Sequence, residues 1–294
     1  MTLHNLIEAI KERILTFRQY RPLHFKLLSI ILGATLLCFL GSAIAIYSWL
    51  DTAGLFDIDD SKLDVIVNYV HSDNSLVFDK NGWQIGEFFS DYHVFYPYER
   101  IPPAMVKAVL SIEDRGFFEH HGIDYKAILR AGVSLLKTGH VRQGASTITQ
   151  QVVRNFLLTP ERKISRKIKE AVFAIQLERR VSKERILEIY LNALFLGQGA
   201  YGVGAAAQRH FGKSLEELKP NEIALIAGLF QSPTRFNPHK YPKAAQRRQI
   251  LVLNAMQANG YLSAAEVKKW SAEPLVYQAP SSMNQNIAPF FLDA

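Results

Sequence analysis

The chain has 294 residues, of which 48% are hydrophobic, and carries 34 lysines and arginines against 27 aspartates and glutamates, for a net charge of +7. This composition excludes a disordered, a collagen-like and a disulfide-stapled protein. The single cysteine, Cys38, also excludes an intramolecular disulfide, so the fold must be held together by its hydrophobic core.

Residues 27–50 contain no charged side chain, and this stretch is long enough for a helix to cross a hydrocarbon core of about 30 Å. We expect an uncleaved transmembrane anchor there. The alternative, a cleaved signal peptide, would have an apolar core of only about 7–15 residues. Cations precede the stretch and aspartates follow it, which predicts a cytoplasmic tail at residues 1–26 and an exported main domain.

The segment after the anchor, residues 51–100, is expected to form a neck that contains a small β element. Asn81 and Gly82 lie between two short apolar runs, which is the usual signal of a tight β-hairpin. From Pro102 onward the apolar residues follow helical spacing instead, and no internal repeat is visible. The sequence therefore predicts a mainly α domain, with helix starts or spans at Pro103, the pair Thr159 and Pro160, Ser182, and Glu222–Phe230.

Two segments carry side chains suited to chemistry, although each alone permits an ordinary structural explanation. Glu113 ends an apolar helix and is either a general base or a solvated helix end. The polar run at residues 144–151 concentrates hydroxyl and amide groups, which suits a polar ligand such as a sugar, or a surface loop.

A basic helix is predicted around residue 166. Arg166 and Lys167 precede Glu170 by four and three residues, so they share its helix face and favour its ionised form. Together with Arg154 and Arg162, this surface can bind a phosphate or pyrophosphate through charge-assisted hydrogen bonds. A solvated basic face and a contact with anionic lipid headgroups are the alternatives. Nucleic acid is not expected as a partner of an exported domain.

Taken in order and spacing, these segments resemble the five motifs of the peptidoglycan glycosyltransferases of glycosyltransferase family 51. That family comprises the glycosyltransferase modules of class A penicillin-binding proteins and the monofunctional transglycosylases. The resemblance covers residues 76–248. The matching strings are EDRGFFEHHGIDYKAILRA, QGASTITQQVVRN, RKIKE, RILEIYLNALFLGQGAYGVGAAAQRHFGK and LIAGLFQSPTRFNP.

The resemblance implies a lysozyme-like, mainly α fold and the polymerisation of lipid II into glycan strands, with undecaprenyl pyrophosphate as the leaving group. It implies that Glu113 is the general base and that Glu170 is the second essential acid, which orients substrate and binds a divalent metal, Mg²⁺ or Mn²⁺. The positions that the resemblance assigns to substrate are Asp114, Phe118, His121, Arg130, Ser146, Thr147, Gln150, Gln151, Arg154, Arg162, Arg166, Lys167 and Lys169.

One of these positions departs from the family pattern, and three others belong to its first motif. Arg154 stands where the family's second motif commonly has lysine, so the positive charge is kept while the contact geometry changes. Asp114, Phe118 and His121 are expected to shape the cleft and to hydrogen-bond around the base. We expect a structural or hydrogen-bonding role for His121, because no second histidine or cysteine has ligand spacing.

The family assignment also orders the chain into domains and places it in the cell. We expect a glycosyltransferase domain at 101–250 and a C-terminal helical end with the start of a linker at 251–294. We expect a single-pass protein of the bacterial inner membrane, with its catalytic domain outside. Its expected partners are lipid II, the growing glycan strand, the membrane, and other cell-wall synthesis and division proteins.

Two alternatives to a glycosyltransferase stay open at this point. A lysozyme-like muramidase also uses two carboxylates, and an anchored scaffold that binds lipid II would need no turnover.

No transpeptidase is expected in this chain, because its Ser-x-x-Lys, Ser-x-Asn and Lys-Thr-Gly strings occur in the wrong order. The ending IAPFFLDA resembles the exit toward a further domain, which favours a truncated class A protein over a monofunctional enzyme.

Overall fold

The computed structural model describes residues 8, 11, 30–45, 47–48, 51, 60–70, 75–88, 92–138, 144, 146–158 and 164–278. The chain divides into two compact units, residues 1–58 and 59–294. In the first unit, residues 30–45 are helical. No helix among the described residues combines the length and the apolarity that crossing a membrane requires. The predicted span 27–50 lies partly outside those residues, so the anchor stays a prediction.

The neck of the second unit contains the predicted hairpin. Strands β1 (Ser75–Phe78) and β2 (Gln84–Phe88) pair antiparallel. In the turn between them, one carboxylate oxygen of Asp79 accepts from the backbone N–H of Asn81 and of Trp83, each at 2.8 Å. Gly82 has φ of 85°, a conformation that a residue with a Cβ rarely adopts. The turn prediction from Asn81 and Gly82 is therefore confirmed.

The rest of the second unit is mainly helical, as predicted. A 3₁₀ turn at Asp60–Leu63 and a short helix at Asp64–Val67 precede the hairpin, and 3₁₀ turns lie at Tyr98–Arg100 and Leu215–Glu217. A short parallel pair joins β3 (Tyr92–His93) to β4 (Ala200–Tyr201). The longer helices are α1 (Pro103–Glu113), α2 (Tyr125–Thr138), α3 (Ile148–Leu157), α4 (Ile164–Arg180), α5 (Lys183–Ala193), α6 (Gly202–Phe211), α7 (Pro220–Leu229), α8 (Pro242–Ala258) and α9 (Ala264–Ala272).

The helix boundaries follow from local chemistry. α1 begins at Pro103, whose fixed φ suits the first helical turn, and α5 begins after Ser182, whose Oγ accepts from the N–H of Arg185 at 3.2 Å. Both starts are as predicted. α7 begins at Pro220, two residues before the predicted span, and α8 runs through the domain boundary expected at residue 250. Thr159 and Pro160 lie outside the described residues.

The core that supports the site is formed where α1, α7 and α8 pack together, while α3 packs against α4 and α5. α7 is buried along residues 221–229 and is therefore the central helix of this core. Tyr190 on α5 is also fully buried, and its ring stacks on Phe230 with the ring centroids 4.6 Å apart. This packing fixes the ends of α1 and α3, which carry the predicted catalytic motifs.

Candidate active site

Glu113 is the last residue of α1 and lies in the wall shared by two cavities. One cavity, of about 140 Å³, is lined further by residues of α2 that include Arg130 and Ser134. The other, of about 490 Å³, is lined further by Arg154 and Arg248. Ile112, Gly144 and Ser146 border both cavities together with Glu113. Glu113 thus lies where two adjacent cavities border each other.

The Glu113 carboxylate receives one hydrogen bond on each oxygen. Arg248 Nη2 donates to Oε1 at 2.9 Å, and Gln151 Nε2 donates to Oε2 at 3.1 Å. Burial raises the pKa of Glu113 above its ordinary value, while the Gln151 hydrogen bond and the charges of Arg248 and Arg154 counter part of that rise. This environment suits a general base, because the carboxylate stays ionisable and each oxygen still has a lone pair to accept a proton.

A second layer of contacts fixes Gln151. The hydroxyl of Tyr190 donates to Gln151 Oε1 at 3.1 Å, so the amide nitrogen is the end that faces Glu113. Burial raises the pKa of Tyr190 well above its ordinary value, which keeps this hydroxyl neutral and able to donate. Gln151 was expected from the resemblance to bind substrate, and the structure places it on the base.

The polar run at residues 146–151 is used largely to start α3. Thr147 Oγ1 accepts from Gln150 N at 3.1 Å, and Gln150 Oε1 accepts from Thr147 N at 3.0 Å, which together form a capping box. Thr147 Oγ1 also donates to the carbonyl of Gly122 at 2.7 Å. Thr147 and Gln150 are 1% and 2% exposed, so their side chains are occupied within the fold. A substrate contact by either residue stays a prediction.

Asp114 is buried beside the base and connects three segments. Its Oδ2 accepts from the backbone N–H of Ile148 at 2.9 Å and lies 3.0 Å from His120 Nε2. The other nitrogen of His120 lies 3.4 Å from Lys183 Nζ. Asp114 therefore supports the start of α3 and the first motif at once. The histidine that pairs with this carboxylate is His120. His121, which was expected to have a structural or hydrogen-bonding role around the base, is exposed.

Two of the predicted cations, Arg166 and Lys167, lie beside Glu170 on α4. Glu170 is 1% exposed, with Lys167 Nζ at 2.7 Å from Oε2 and Arg166 Nε at 3.3 Å from Oε1. Lys167 also donates to Ser146 Oγ at 2.7 Å, so α4 is joined to the rim that both cavities share. Arg154 lines the larger cavity.

The other predicted positions are more dispersed. Arg130 lines the smaller cavity and donates to Asp124 Oδ2 at 3.3 Å. Phe118 is 52% exposed and lines neither cavity. Lys169 is half-buried on α4, and Arg162 lies outside the described residues. The structure therefore brings Arg130, Ser146, Gln151, Arg154 and Lys167 close to Glu113 or its cavities.

The divalent metal expected at Glu170 stays a prediction. Both oxygens of Glu170 face cations, which leaves a poor set of donors for a second positive charge. No group of three or more histidine, cysteine, aspartate or glutamate side chains among the described residues is arranged to hold a metal ion. We derive no catalytic step through a metal.

Residues that the sequence reasoning did not assign to the site also contribute to it. Arg248 contacts the base directly, and Tyr190 contacts it through Gln151. His120 acts through Asp114. Arg248 lies 135 residues after Glu113, so no local pattern relates the two. The tertiary packing of α8 against α1 brings them together.

Comparison with known proteins identifies relatives of this chain. A protein family described as Transglycosylase matches residues 81–257. Penicillin-binding protein 1A of Escherichia coli is 44% identical over 207 residues, which cover 69% of this chain and 24% of that protein. Penicillin-binding protein 1A of Aquifex aeolicus is 40% identical over 219 residues, covering 74% and 30%. Penicillin-binding protein 1A of Streptococcus oralis is 34% identical over 286 residues, covering 96% and 43%.

The chain thus spans between about a quarter and less than half of the length of these relatives. A crystal structure of penicillin-binding protein 1A from Haemophilus influenzae covers 72% of this chain and 22% of its own, at 24% identity and a TM-score of 0.41, a similarity too low to bear on the fold. The family match covers more than half of the chain and contains Glu113, Gln151, Arg248 and the cationic helix α4. The chain therefore belongs to the transglycosylase family, glycosyltransferase family 51, as its ordered motifs predicted.

Proposed function

We propose that the chain is a peptidoglycan glycosyltransferase that polymerises lipid II into glycan strands by inverting transfer. The observation that carries this proposal is the position of Glu113, a buried carboxylate shared by two cavities and flanked by cationic side chains. A polymerase must hold a donor strand and an acceptor at the same time. The two cavities that both border Glu113 support this proposal.

In the proposed reaction, Glu113 removes the proton of the acceptor's 4-hydroxyl. The resulting oxygen forms a bond to the anomeric carbon of the donor while the bond from that carbon to the pyrophosphate oxygen breaks. The proton is left on Glu113, and the electron pair of the broken bond leaves with undecaprenyl pyrophosphate. The raised pKa of Glu113 increases its strength as a base, and the hydrogen bonds from Arg248 and Gln151 keep it ionised.

The departing pyrophosphate is an anion, and it needs positive charge more than it needs a proton. Lys167 and Arg154 supply this charge next to the shared wall of the cavities. Lys167 is 48% exposed at its side chain, so its ammonium is accessible to a ligand. Glu170 fixes Lys167 and Arg166 on one face of α4, which is how we infer that the second acid acts.

The proposed substrate also determines where the protein would work. Lipid II is held in a membrane, so we propose a single-pass protein of the inner membrane, with residues 1–26 in the cytoplasm and the catalytic unit outside. The charge asymmetry on either side of residues 27–50 supports this orientation. Other cell-wall synthesis and division proteins are proposed as partners.

Purified full-length chain in detergent, incubated with fluorescent lipid II and a divalent metal, tests the proposal. We expect glycan polymer from the native chain and none from Glu113→Gln. Glu170→Gln should also reduce polymerisation strongly. Glu119→Gln is the matched control, because Glu119 is an exposed acid of the same motif. Absence of polymer from the native chain would refute the proposal, and soluble muropeptides released from finished peptidoglycan would favour the muramidase.

A further inference from the structure

Arg248 is a buried arginine that joins α8 to the base. Its Nη2 donates to Glu113 Oε1 at 2.9 Å, and its Nε donates to the carbonyl of Gly228 at 3.2 Å. The residue is 8% exposed, and its guanidinium lies 5.8 Å from the ring centroid of Phe236. A planar guanidinium held at two of its nitrogens has a fixed orientation. The contact with Glu113 is therefore a built feature of the site.

The backbone of α7 is shaped to admit this arginine. A Cβ at Gly228 would lie 2.9 Å from Arg248 Cγ, closer than two carbon atoms normally approach. Glycine inside a helix is unfavourable for stability, so a reason is needed for its presence in the buried centre of α7. The side chain of Arg248 passes over this position on its way to Glu113, which supplies that reason.

The two oxygens of Glu113 are held from opposite sides by different helices. Arg248 reaches Oε1 from α8, and Gln151 reaches Oε2 from α3. Tyr190 on α5 prevents Gln151 from turning its carbonyl toward the base. Three helices together thus fix the plane of one carboxylate, a precision that a general base requires.

We propose that Arg248 is a positioning residue of this transglycosylase, which with Gln151 aims the Glu113 carboxylate at the two cavities and keeps it ionised. The inference rests on the proposed function, because it concerns the same base. The five motif strings end at Pro238, so α8 lies after all of them. The proposal gives this helix a part in catalysis. The role is indirect, since Arg248 acts through Glu113.

The groups that face Glu113 determine what the loss of Arg248 would do. Arg248 from α8 and Arg154 from α3 bring positive charge, Asp114 brings negative charge, and Gln151 donates a hydrogen bond. Removing Arg248 takes away one of the two cations while burial continues to disfavour the charged carboxylate. The pKa of Glu113 must then rise further, so the ionised, active form is lost at a higher pH.

The test measures initial rates with fluorescent lipid II between pH 5.5 and 9 on full-length chain in detergent. For Arg248→Met we expect kcat to fall about tenfold to a hundredfold at neutral pH, the scale of one hydrogen bond to a charged group. The acidic limb of the rate profile should move up by about one pH unit or more, with KM little changed. Arg247→Met is the matched control, because Arg247 is the adjacent, exposed arginine of α8.

Arg248→Lys separates charge from geometry. Lysine keeps the positive charge, so the acidic limb should move less than in Arg248→Met. It lacks the planar fork that contacts Gly228 and Glu113 together, so kcat should stay below that of the native chain. A titration of carboxyl-¹³C glutamate, with the Glu113 signal assigned from Glu113→Gln, reports the same pKa order without any turnover.

The results separate the positioning role of Arg248 from the proposed glycosyltransferase activity. A native chain that makes no polymer refutes the proposed function. A native chain that polymerises, with Arg248→Met matching its kcat and its pH profile, overturns the positioning role. An increase in KM alone, with an unchanged profile, also overturns it and makes Arg248 a substrate contact. If thermal melting shows that Arg248→Met is unfolded, Arg248→Lys and its ¹³C titration decide the question.

Discussion

The carboxylate of Asp114 accepts a hydrogen bond from the backbone N–H of Ile148 at 2.9 Å, which ties the residue after the base to the first turn of α3. The same oxygen lies 3.0 Å from His120 Nε2. A negatively charged carboxylate is favourable at a helix N-terminus. Here the Asp114 carboxylate also holds the helix that carries Gln151. The first and second motifs are thus joined by one buried carboxylate.

Replacing Asp114 with Asn should therefore affect both stability and activity. We expect a loss of about 1–3 kcal/mol in the free energy of unfolding, because a buried charge-assisted cap is weakened. Polymerisation should fall at least about tenfold, since Gln151, which hydrogen-bonds to Glu113, shifts with α3. Thermal melting and initial rates measure the two effects, with Glu119→Gln as control. An Asp114→Asn chain that melts and polymerises like the native one would contradict this account.

Lys167 provides a direct test of the cationic surface. In Lys167→Met, inhibition by inorganic pyrophosphate should weaken about tenfold or more, the scale of one charge-assisted hydrogen bond. Competition assays against fluorescent lipid II measure the inhibition constant. Lys268→Met, which removes an exposed lysine from α9, should leave it unchanged. Equal inhibition of the native chain and Lys167→Met would remove Lys167 from the pyrophosphate site.

The arrangement of Glu170 leads to a prediction about metals. Because both oxygens of this carboxylate face cations, the protein without substrate should bind Mn²⁺ only weakly. Titration of Mn²⁺ followed by electron paramagnetic resonance should give the same weak binding for the native chain and for Glu170→Gln. Tight binding by the native chain that disappears in Glu170→Gln would show that Glu170 holds a metal by itself.

His210, at the end of α6, should make the fold sensitive to acid. Burial lowers the pKa of His210 to about 4, and its ring stacks near His239 with centroids 5.9 Å apart. The unfolded chain then binds a proton that the folded chain does not, so stability should fall as pH drops from about 6.5 toward 4. The expected loss is on the order of 3 kcal/mol.

Thermal melting of full-length chain between pH 7.5 and 4.5 measures this dependence. His210→Gln should be less stable than the native chain at pH 7.5 but should lose less stability on acidification. His121→Gln is the control, because it removes an exposed histidine in place of a buried one. Identical pH dependence in the native chain and His210→Gln would show that another group is responsible.

The parts of the fold that the sequence predicted well are those fixed by local chemistry. Proline at the start of α1, serine before α5 and the pair Asn81 and Gly82 in the hairpin each act within a few residues. The capping box of α3 is also local, since Thr147 and Gln150 fit the Thr-x-x-Gln signature. That signature predicts the helix start, whereas the polar composition of the run by itself indicates a ligand site or a loop.

The parts of the site that escaped prediction depend on tertiary packing. His120 and His121 are neighbours with the same side chain, and the turn after α1 decides which one is buried against Asp114. Arg248 is one of two adjacent arginines, and the face of α8 that packs on α7 selects it. No sequence pattern within one element distinguishes the members of such pairs.

In the proposed reaction, the hydrogen bonds from Arg248 and Gln151 to Glu113 also affect the proton that each transfer leaves on this residue. Arginine has no acceptor, and Tyr190 keeps the donor end of Gln151 toward the base, so both neighbours of the carboxylate only donate. A newly formed carboxylic acid therefore finds no acceptor on either of them. Water or the next ligand in the cavities is then left to accept the proton. In the proposed reaction, the contacts that orient Glu113 thus also favour its return to the charged form before another sugar is added.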